Sequence, residues 1–533
     1  MNLQQPGQNE AIGTKNRSKD IAPYSGICTR CMDDCTGNCD IFKASLRGRE
    51  VIYPGPFGSV IAGGDKKYPI DYSHLNIMGY AYGAKAIDEA NPDKAIFPEV
   101  DTSAVYGHNH PVRMRMPIFT GALGSTDIAR KHWESYAAGA AISGITVVVG
   151  ENVCGIDPKL ELDAKGKVTR SPEMERRVKI YKEWQDEYGD IIVQLNVEDA
   201  RLGVAEYVVE KLGVTSIELK WGQGAKCIGG EIKIRDLDRA IELQKRGYIV
   251  TPNPANDAVQ AAFKSGGIKE FERHSRLGFI DEEDFLRRVE YLRRTVGAER
   301  VTLKTGAYGM RELAMAIKWS AEARVDLVTI DGAGGGTGMS PWRMMEEWGI
   351  PTFYLQSMAY RCAHKLAGRG KWFPDLAMAG GFSTEDHIFK VLAMGAPYFK
   401  AVCMGRALMI PGFVGDNVAD ALAKKQGRNW DELPNSVSQY GTTPEQIFAG
   451  WSALQERFGR DAARVPLGAV AIYTFVDKLR TGLTQFMAGA RGFRLDSLDR
   501  SNIVALTEDA ARVSGISYIM DAFQEDADRI LES

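Results

Sequence analysis

The sequence lacks an excess of charge of either sign and lacks any apolar run long enough to cross a bilayer. Its formal net charge is −3 over 533 residues, which does not indicate nucleic acid or an acidic surface as a partner. A transmembrane helix needs roughly 20 consecutive apolar residues, and no stretch of the chain is apolar over such a length. Residues 1–25 are polar and lack the basic start and apolar run of a secretory signal. We therefore expect a cytoplasmic globular protein with a flexible N-terminus and no membrane or nucleic-acid partner.

Cysteine is scarce and is not distributed as in a secreted disulfide framework. Four of the eight cysteines are scattered along the chain: Cys154, Cys227, Cys362 and Cys403. The other four lie within residues 26–45: Cys28, Cys31, Cys35 and Cys39. Such tight spacing lets four thiolates converge on one metal centre. We favour a [4Fe–4S] cluster, although the spacing is not that of a ferredoxin; structural zinc and free thiols are the alternatives.

From about residue 115 one unit repeats: a short β-branched run, a glycine-bearing loop and an amphipathic helix. Eight such runs occur: Met116–Thr120, Ile145–Val149, Ile191–Leu195, Ser216–Lys220, Val301–Lys304, Leu327–Ile330, Leu376–Ala379 and Tyr398–Met404. A helix predicted for Asp281–Gly297 is typical, because Asp281 can cap its first turn and apolar residues follow at helical spacing.

Continuous apolar strands that alternate with such helices indicate parallel strands buried on both faces. Eight of them favour an α/β fold with a TIM-type (β/α)8 barrel over an open sheet. We predict a barrel over residues 46–410, between the four-cysteine segment and a helical C-terminal extension at residues 411–533.

Glycine is concentrated in the loops that follow the predicted strands. Residues 330–341 contain five glycines, and backbone so poor in side chains can close on a flat ring or an anion. A dinucleotide-binding fold is one alternative for this glycine-rich loop, but it needs a helix that opens directly from the loop, which Pro341 disfavours. A structural turn is another alternative. In a barrel, the loops at the C-terminal strand ends carry the chemistry, so we expect these loops to form one site.

Two strand ends late in the predicted barrel indicate a phosphate site. Gly380 and Gly381 precede a predicted helix, and Gly405 and Arg406 follow the last strand. Barrels commonly bind phosphate with the loops after strands 7 and 8, where backbone N–H groups and a helix start converge. A surface ion pair is the alternative for Arg406. The phosphate of FMN would suit this position.

Taken together, these motifs resemble the FMN-binding domain of the glutamate synthase family. The matching pieces are, in chain order, Gly150–Asn152, Glu218–Lys226, Val301–Lys304, Thr329–Gly338 with Ser340 and Pro341, and Gly380–Gly381. The resemblance covers roughly residues 100–410. It implies a TIM-type barrel, bound FMN, and hydride transfer from reduced flavin to an imine of a 2-oxo acid and an amine.

The resemblance also implies roles for individual residues. Lys304 would stabilise the anionic reduced flavin near its N1–C2 edge, and Gln194 would hydrogen-bond the pyrimidine side of the ring. Gln223 and Lys226 would bind the carboxylates of the 2-oxo acid. The predicted catalytic residues are Lys304, Glu151 and Asp331, the last two as proton carriers. The other predicted flavin contacts lie in the strand-end loops: Gly121, Ala122, Asp331, Gly332, Gly334, Gly335, Gly336, Thr337, Gly380, Gly381, Gly405 and Arg406.

The sequence departs from the family's pattern in three places. It does not begin with a glutamine amidotransferase domain, so we expect the amine to come from solution or from a partner subunit. Cys403 stands alone where the family has three cluster cysteines, so we expect a cluster only at the four N-terminal cysteines. The substrate loops, Cys227–Glu231 and Thr251–Asp257, differ in composition, which leaves the 2-oxo acid open.

These features predict an FMN oxidoreductase that reduces an imine of a 2-oxo acid, preferably 2-oxoglutarate, and ammonia to an amino acid such as glutamate. Electrons would pass through the iron–sulfur cluster from a ferredoxin or a partner subunit. One alternative is an enzyme that uses methylamine to make N-methylglutamate. The other is an electron-transfer subunit without substrate chemistry of its own. The sequence leaves the oligomeric state open, including a homo-oligomer.

Overall fold

Eight parallel strands form the centre of the protein. The structure is a computed structural model that describes residues 35, 37, 39–48, 69–87, 92–224, 231–268, 270–278, 281–333, 348–370 and 372–533. The strands are β1 (Ile118–Thr120), β2 (Val147–Val149), β3 (Ile191–Leu195), β4 (Ser216–Lys220), β5 (Arg300–Thr305), β6 (Leu327–Asp331), β7 (Asp375–Ala379) and β8 (Phe399–Met404). Neighbours in the sheet are neighbours in the chain, and β8 pairs with β1. The N–H of Thr120 donates to the Thr146 carbonyl over 3.1 Å beside β2, so the ring is closed as the predicted (β/α)8 barrel.

A helix follows each strand: α1 (Asp127–Ile142), α2 (Pro172–Trp184), α3 (Val204–Leu212), α4 (Glu282–Tyr291), α5 (Met310–Glu322), α6 (Thr352–Ala367), α7 (Glu385–Gly395) and α8 (Arg406–Leu422). Local sequence sets several of the helix starts. The Thr126 and Ser171 hydroxyls accept N–H groups of the first turns of α1 and α2, and Pro172 suits the first helical position of α2. Asp281 caps α4 as predicted, and a π-helical segment, Leu292–Val296, continues it.

All eight predicted runs become barrel strands, and their ends differ from the prediction by at most two residues. The largest shifts are at β1 and β2, which begin at Ile118 and Val147. Pro117 stands directly before β1. Its carbonyl accepts the Val402 N–H of β8 over 2.8 Å, but it has no N–H of its own to donate to the ladder.

A hairpin closes the barrel at the N-terminal ends of its strands. Its strands, Ala104–Tyr106 and Val112–Met114, pair antiparallel, and their buried side chains share one apolar cluster with interior residues of β1, β2, β3, β6, β7 and β8. The N–H of Gly107 donates to Asp375 at the start of β7 over 2.9 Å. Because this end is plugged, a ligand site inside the ring has to open at the C-terminal strand ends.

A three-stranded antiparallel sheet is inserted between β4 and α4. Its strands are Glu231–Ile234, Phe271–His274 and Ile249–Thr251, in that spatial order, with helices Leu237–Lys245 and Asp257–Lys264. Arg246 in this insertion donates to the carbonyls of Gly155 (2.9 Å) and Asp157 (2.7 Å) in the loop after β2. The insertion is therefore fastened to the barrel mouth.

A long helix, Leu467–Gly489, packs across α7, α8 and α1 on the outside of the barrel. The buried Lys478 ammonium donates to Glu385 at the start of α7 over 2.5 Å, and the same helix contacts the N-terminal helix Asp40–Arg47. Strand Leu75–Ile77 pairs antiparallel with Ile503–Ala505. The helix Asp40–Arg47 thus lies on the flank of the barrel that α8 and the long helix form.

The remaining elements lie in the connecting segments and the C-terminal part. They are the helices Val153–Ile156, Val197–Leu202, Asn435–Ser438, Pro444–Ile447, Trp451–Phe458, Glu508–Ser514 and Gln524–Glu532, the 3₁₀ turns Tyr72–His74, Phe97–Glu99, Gly459–Arg464, Leu495–Ser497 and Arg500–Asn502, and the pair of strands Glu161–Leu162 and Val168–Arg170. None of the helices described combines the length and apolar character that a membrane span needs. Helix α8 crosses residue 410, where the barrel was predicted to end. The predicted domain boundaries stay a prediction.

Substitution of Gly415 on α8 tests how closely the helix Leu467–Gly489 approaches the barrel. A Cβ at Gly415 would meet the Leu467 carbonyl oxygen and would lie 2.6 Å from the Gly468 nitrogen. We expect Gly415→Ala to lower the free energy of unfolding by about 2 kcal/mol or more, because backbone atoms have to move. Gly412→Ala on the same helix meets only the Ile472 methyl group at 3.5 Å and should be neutral or stabilising by up to about 1 kcal/mol. Urea unfolding of both variants measures this; equal effects would contradict the packing.

Candidate active site at the barrel mouth

The rim of the barrel is built from loops that touch through glycine backbone. A Cβ on Gly121, after β1, would lie 2.8 Å from the Cα of Gly405, after β8, and a Cβ on Gly150 would lie 2.5 Å from the nitrogen of Gly124. A Cβ on Gly224 would collide with the Gly332 carbonyl oxygen. Neighbouring loops can approach this closely only because these positions carry no side chains. The predicted convergence of the glycine loops on one mouth is therefore present.

Lys304 and Asp331 form an ion pair inside this mouth. Lys304 Nζ on β5 lies 3.2 Å from Asp331 Oδ2 on β6, and both side chains are about nine-tenths buried. Burial alone would lower the pKa of Lys304, but Asp331, helped by Cys403 and Glu218, raises it above its usual value. Lys304 is therefore a permanent cation at neutral pH. Two of the three side chains predicted to be catalytic, Lys304 and Asp331, therefore lie next to each other.

Gln194 and Glu218 lie deeper in the ring. Gln194 Nε2 on β3 donates to Glu218 Oε1 on β4 over 2.6 Å, and Thr302 Oγ1 lies 3.3 Å from Glu218 Oε2. Burial raises the pKa of Glu218, against the opposing charge of Lys304. The Gln194 side-chain amide cannot adopt the flipped orientation, because its oxygen would then face the Glu218 carboxyl oxygen. Gln194 Oε1 is buried and has no hydrogen-bond partner among the described residues.

Lys220 at the end of β4 joins two loops of the rim. Its ammonium donates to Glu151 Oε1 over 2.5 Å and to Gln223 Oε1 over 3.0 Å. Burial opposes ionisation of Glu151, but Lys220 holds the pKa of Glu151 below its usual value. Glu151 is therefore ionised at neutral pH. Lys220 therefore contacts both the predicted proton carrier, Glu151, and the predicted substrate ligand, Gln223.

Asn152 connects the loop after β2 to the insertion. It has a left-handed backbone (φ 66°), a conformation that asparagine tolerates better than most residues. Its Nδ2 lies 3.3 Å from Ser275 Oγ and its Oδ1 3.2 Å from the Tyr248 hydroxyl. Its N–H donates to Asp199 over 2.9 Å. Asp199 is buried, and burial raises its pKa to about 7.

The predicted phosphate position lies where β7 and β8 end. Gly380 and Gly381 have φ values of 135° and 101°, which favour glycine. Among the described residues, the N–H groups of Gly381 and Gly405 donate to no acceptor, and the half-buried Arg406 guanidinium has no ion-pair partner. Arg406 is thus not the surface ion pair weighed as its alternative. These donors fit a phosphate group.

The interior also fits the ring of FMN. A flavin ring carries one N–H donor and two carbonyl acceptors on its pyrimidine side, and Gln194 Oε1 is an unused acceptor. Thr329 Oγ1, beside Lys304 in the sheet register, is a second buried atom with no partner among the described residues. Buried polar atoms are normally satisfied. A polar planar ligand in the mouth would satisfy them.

Several predicted residues lie outside the described part of the chain. These are Gly334, Gly335, Gly336, Thr337, Lys226, Cys28 and Cys31. Cys35 and Cys39 are described and are buried. Within the described residues, no group of three or more His, Cys, Asp or Glu side chains is arranged to hold a metal ion. The four-cysteine centre and the roles of the glycine-rich loop stay predictions.

The sequence assigned no individual role to Glu218 or Lys220. The structure gives each a different partner: Glu218 contacts Gln194, and Lys220 contacts Glu151. The signal for their importance is the alternation Ser216, Glu218, Lys220, which puts a polar side chain at every second position of a buried strand. No role was assigned to Thr329, whose burial is not visible from sequence.

Fold and site together define a (β/α)8-barrel protein with a closed base and a mouth that suits a planar anionic cofactor. The family model described as "Conserved region in glutamate synthase" matches residues 272–412, which include β5 to β8 and their loops. Residues 272–412 therefore match the conserved region of glutamate synthases, which confirms the resemblance inferred from the motifs.

One curated relative is the "Glutamate synthase large subunit-like protein" of Rhizobium meliloti (strain 1021), 23% identical over 322 residues. The match covers 60% of this chain and 60% of that relative. Among solved structures, a flavocytochrome b2 variant with sulfite bound has a TM-score of 0.43 at 12% identity over 81% of this chain and 76% of its own. A soluble mutant of (S)-mandelate dehydrogenase from Pseudomonas putida has a TM-score of 0.40 at 15% identity over 81% and 88%. The barrel assignment rests on this chain's own strand order.

Asp199 gives the site a pH-dependent stability. Its folded pKa, about 7, exceeds its unfolded value of about 4, so the folded state keeps a proton that the unfolded state has released. The contribution of Asp199 to the free energy of unfolding is fully present below about pH 4. It falls by up to about 1.4 kcal/mol per pH unit as the pH rises to 7. We expect Asp199→Asn to remove this slope between pH 5 and 7. Denaturant unfolding at several pH values measures it; parallel profiles would show that Asp199 is ionised throughout.

Proposed function

We propose that this protein is an FMN-dependent oxidoreductase of the glutamate synthase type. It would reduce an imine formed from a 2-oxo acid, with 2-oxoglutarate favoured, and ammonia to the corresponding amino acid. The observation that carries the proposal is the glutamate synthase conserved region at residues 272–412, which contains Lys304, Asp331 and the predicted phosphate loops. The orphaned acceptors inside the mouth support a bound flavin.

The residues that would hold FMN divide into two groups. Gly381, Gly405 and Arg406 would bind its phosphate, since their donors have no other acceptor in the part of the chain described. Gln194 Oε1 and Lys304 would face the ring, one as a hydrogen-bond acceptor and one as a cation. When bound, FMN supplies the hydride that reduces the imine carbon.

The charged side chains of the rim suit the proton steps of imine formation. Ammonium has to lose a proton before its nitrogen can attack a carbonyl carbon, and the hydroxyl of the resulting adduct has to gain one before it leaves as water. Glu151 is ionised beside Lys220 and would accept the first proton and return it for the second. Asp331 would keep Lys304 charged and in place.

The electrons would enter through a cluster held by Cys28, Cys31, Cys35 and Cys39. Reduction of one imine consumes two electrons and two protons, and a ferredoxin or a partner subunit would deliver the electrons one at a time. Zinc at the same cysteines would leave the protein dependent on direct reduction of the flavin. The absorbance spectrum of anaerobically purified protein distinguishes the two, because only iron–sulfur adds a broad shoulder to the flavin bands.

Substitution of Arg406 tests where the phosphate of FMN binds. We expect Arg406→Met to weaken FMN binding by about 10- to 100-fold, because a charge-assisted bidentate contact is lost. Quenching of flavin fluorescence on titration into apoprotein measures this affinity. Arg428→Met, which removes an exposed arginine near Asp420, is the matched control and should bind FMN normally. Undiminished affinity in the Arg406 variant would place the phosphate elsewhere.

Turnover tests the reaction itself. Anaerobic FMN-loaded protein, given a reduced viologen dye, 2-oxoglutarate and ammonium, should oxidise two dye molecules for each glutamate formed. With equal ammonium and methylamine, mass spectrometry of the product separates glutamate from N-methylglutamate and so decides between the two amines. Flavin and cluster spectra without dye oxidation in the presence of either amine would instead favour the electron-transfer subunit.

A further inference from the structure

A buried ion pair joins the C-terminal part of the chain to the start of α7. Lys478, on the long helix Leu467–Gly489, donates to Glu385 Oε2 over 2.5 Å, and the two side chains are 8% and 11% exposed. A Cβ on Gly482, one turn further along the long helix, would lie 2.5 Å from Glu385 Cγ. The Glu385 side chain is therefore held against the long helix, in a gap that depends on glycine at position 482.

Glu385 is the first residue of α7, and this helix begins shortly after Gly380 and Gly381, where the phosphate of FMN is proposed to bind. The N-terminus of a helix attracts anions, because its first N–H groups lack helical partners and the helix dipole is positive there. Its N-cap residue, Thr384, makes no side-chain cap hydrogen bond. An uncompensated Glu385 carboxylate at this helix start would repel a phosphate.

Both acids in the first turn of α7 are compensated by lysines. Lys390, on α7 itself, lies 3.5 Å from Asp386 Oδ2. Glu385 is instead compensated by Lys478, which lies 93 residues further along the chain. Among the described residues, Glu385 has no other ion-pair partner. The charge balance beside the proposed phosphate position thus depends on a helix outside the eight strand–helix units of the barrel.

We propose that Lys478 is a positioning residue of the cofactor site, which neutralises Glu385 and holds its carboxylate on the long helix so that the start of α7 can accept a phosphate. The long helix is then a component of the flavin site, and not only a cover for the outside of the barrel. Without Lys478, a buried carboxylate would be left unpaired at the helix start. The inference rests on the proposed function for the presence of FMN.

The test compares FMN with riboflavin, which has the same ring and no phosphate. Quenching of flavin fluorescence on titration into apoprotein gives both affinities and their ratio. In Lys478→Met the acid stays unpaired, so we expect the FMN-to-riboflavin affinity ratio to fall about 10-fold. In Glu385→Gln the lysine charge stays, so the ratio should rise about threefold. The double variant, which lacks both charges, should restore the wild-type ratio.

The opposite signs separate this role from a purely structural one. Both single variants break the same ion pair, so both should lower the melting temperature, and a structural pair would weaken FMN binding in both. If Lys478→Met does not fold, the rise in Glu385→Gln and its loss in the double variant still give the sign. Lys318→Met, which removes an exposed lysine that pairs with Glu282, is the matched control and should keep the wild-type ratio.

The outcomes distinguish this inference from the proposed function. An affinity ratio that changes in neither single variant, or that falls in both, would overturn the inference and leave the proposed function intact. Wild-type protein that binds FMN no more tightly than riboflavin would overturn the inference together with the phosphate site. If the ratio shifts as expected but the FMN-loaded protein forms no amino acid, the inference stands and the proposed reaction fails.

Discussion

The contact of glycine with glycine between neighbouring strand-end loops is the constraint on which the rest of the site depends. Loops after β1 and β8, and after β1 and β2, approach so closely that a single Cβ would collide with backbone. This closeness sets the width of the mouth. It also brings charged side chains from five different strand ends into one small volume, where each is buried enough to need a specific partner. Substitution at the rim would therefore move the ion pairs as well as the loops.

The charged residues of the mouth include two separate ion pairs and one cation without an acid. Lys304 pairs with Asp331, and Lys220 pairs with Glu151. Arg406 has no ion-pair partner among the described residues. The phosphate of the proposed cofactor would supply the missing anion.

Much of the fold could be predicted from the sequence, because its signals are local. The eight β-branched runs, the helix cap at Asp281 and the glycines at strand ends each depend on a few neighbouring residues. The partners of Lys220 and Glu218 could not be predicted, since they depend on the stagger of strands around a closed ring. The contacts of Asn152 with Tyr248 and Ser275 were equally hidden, because they depend on how an inserted sheet is placed over a distant loop. Sequence pattern indicates which residues are polar and inward, and only the packing shows which of them remain unsatisfied.

The position of the insertion relative to the seam has a further consequence. In a ring of eight strands, β4 stands diametrically opposite β8, so the inserted sheet and the helix Asp40–Arg47, which packs on α8, occupy opposite flanks of the barrel. The helix Leu467–Gly489 already covers the β8 flank by packing on α7, α8 and α1. If an electron-donating protein docks near the helix Asp40–Arg47, it approaches from that flank and not from the side of the mouth that carries the insertion. Donor docking and substrate exchange could then proceed simultaneously, without one having to wait for the other.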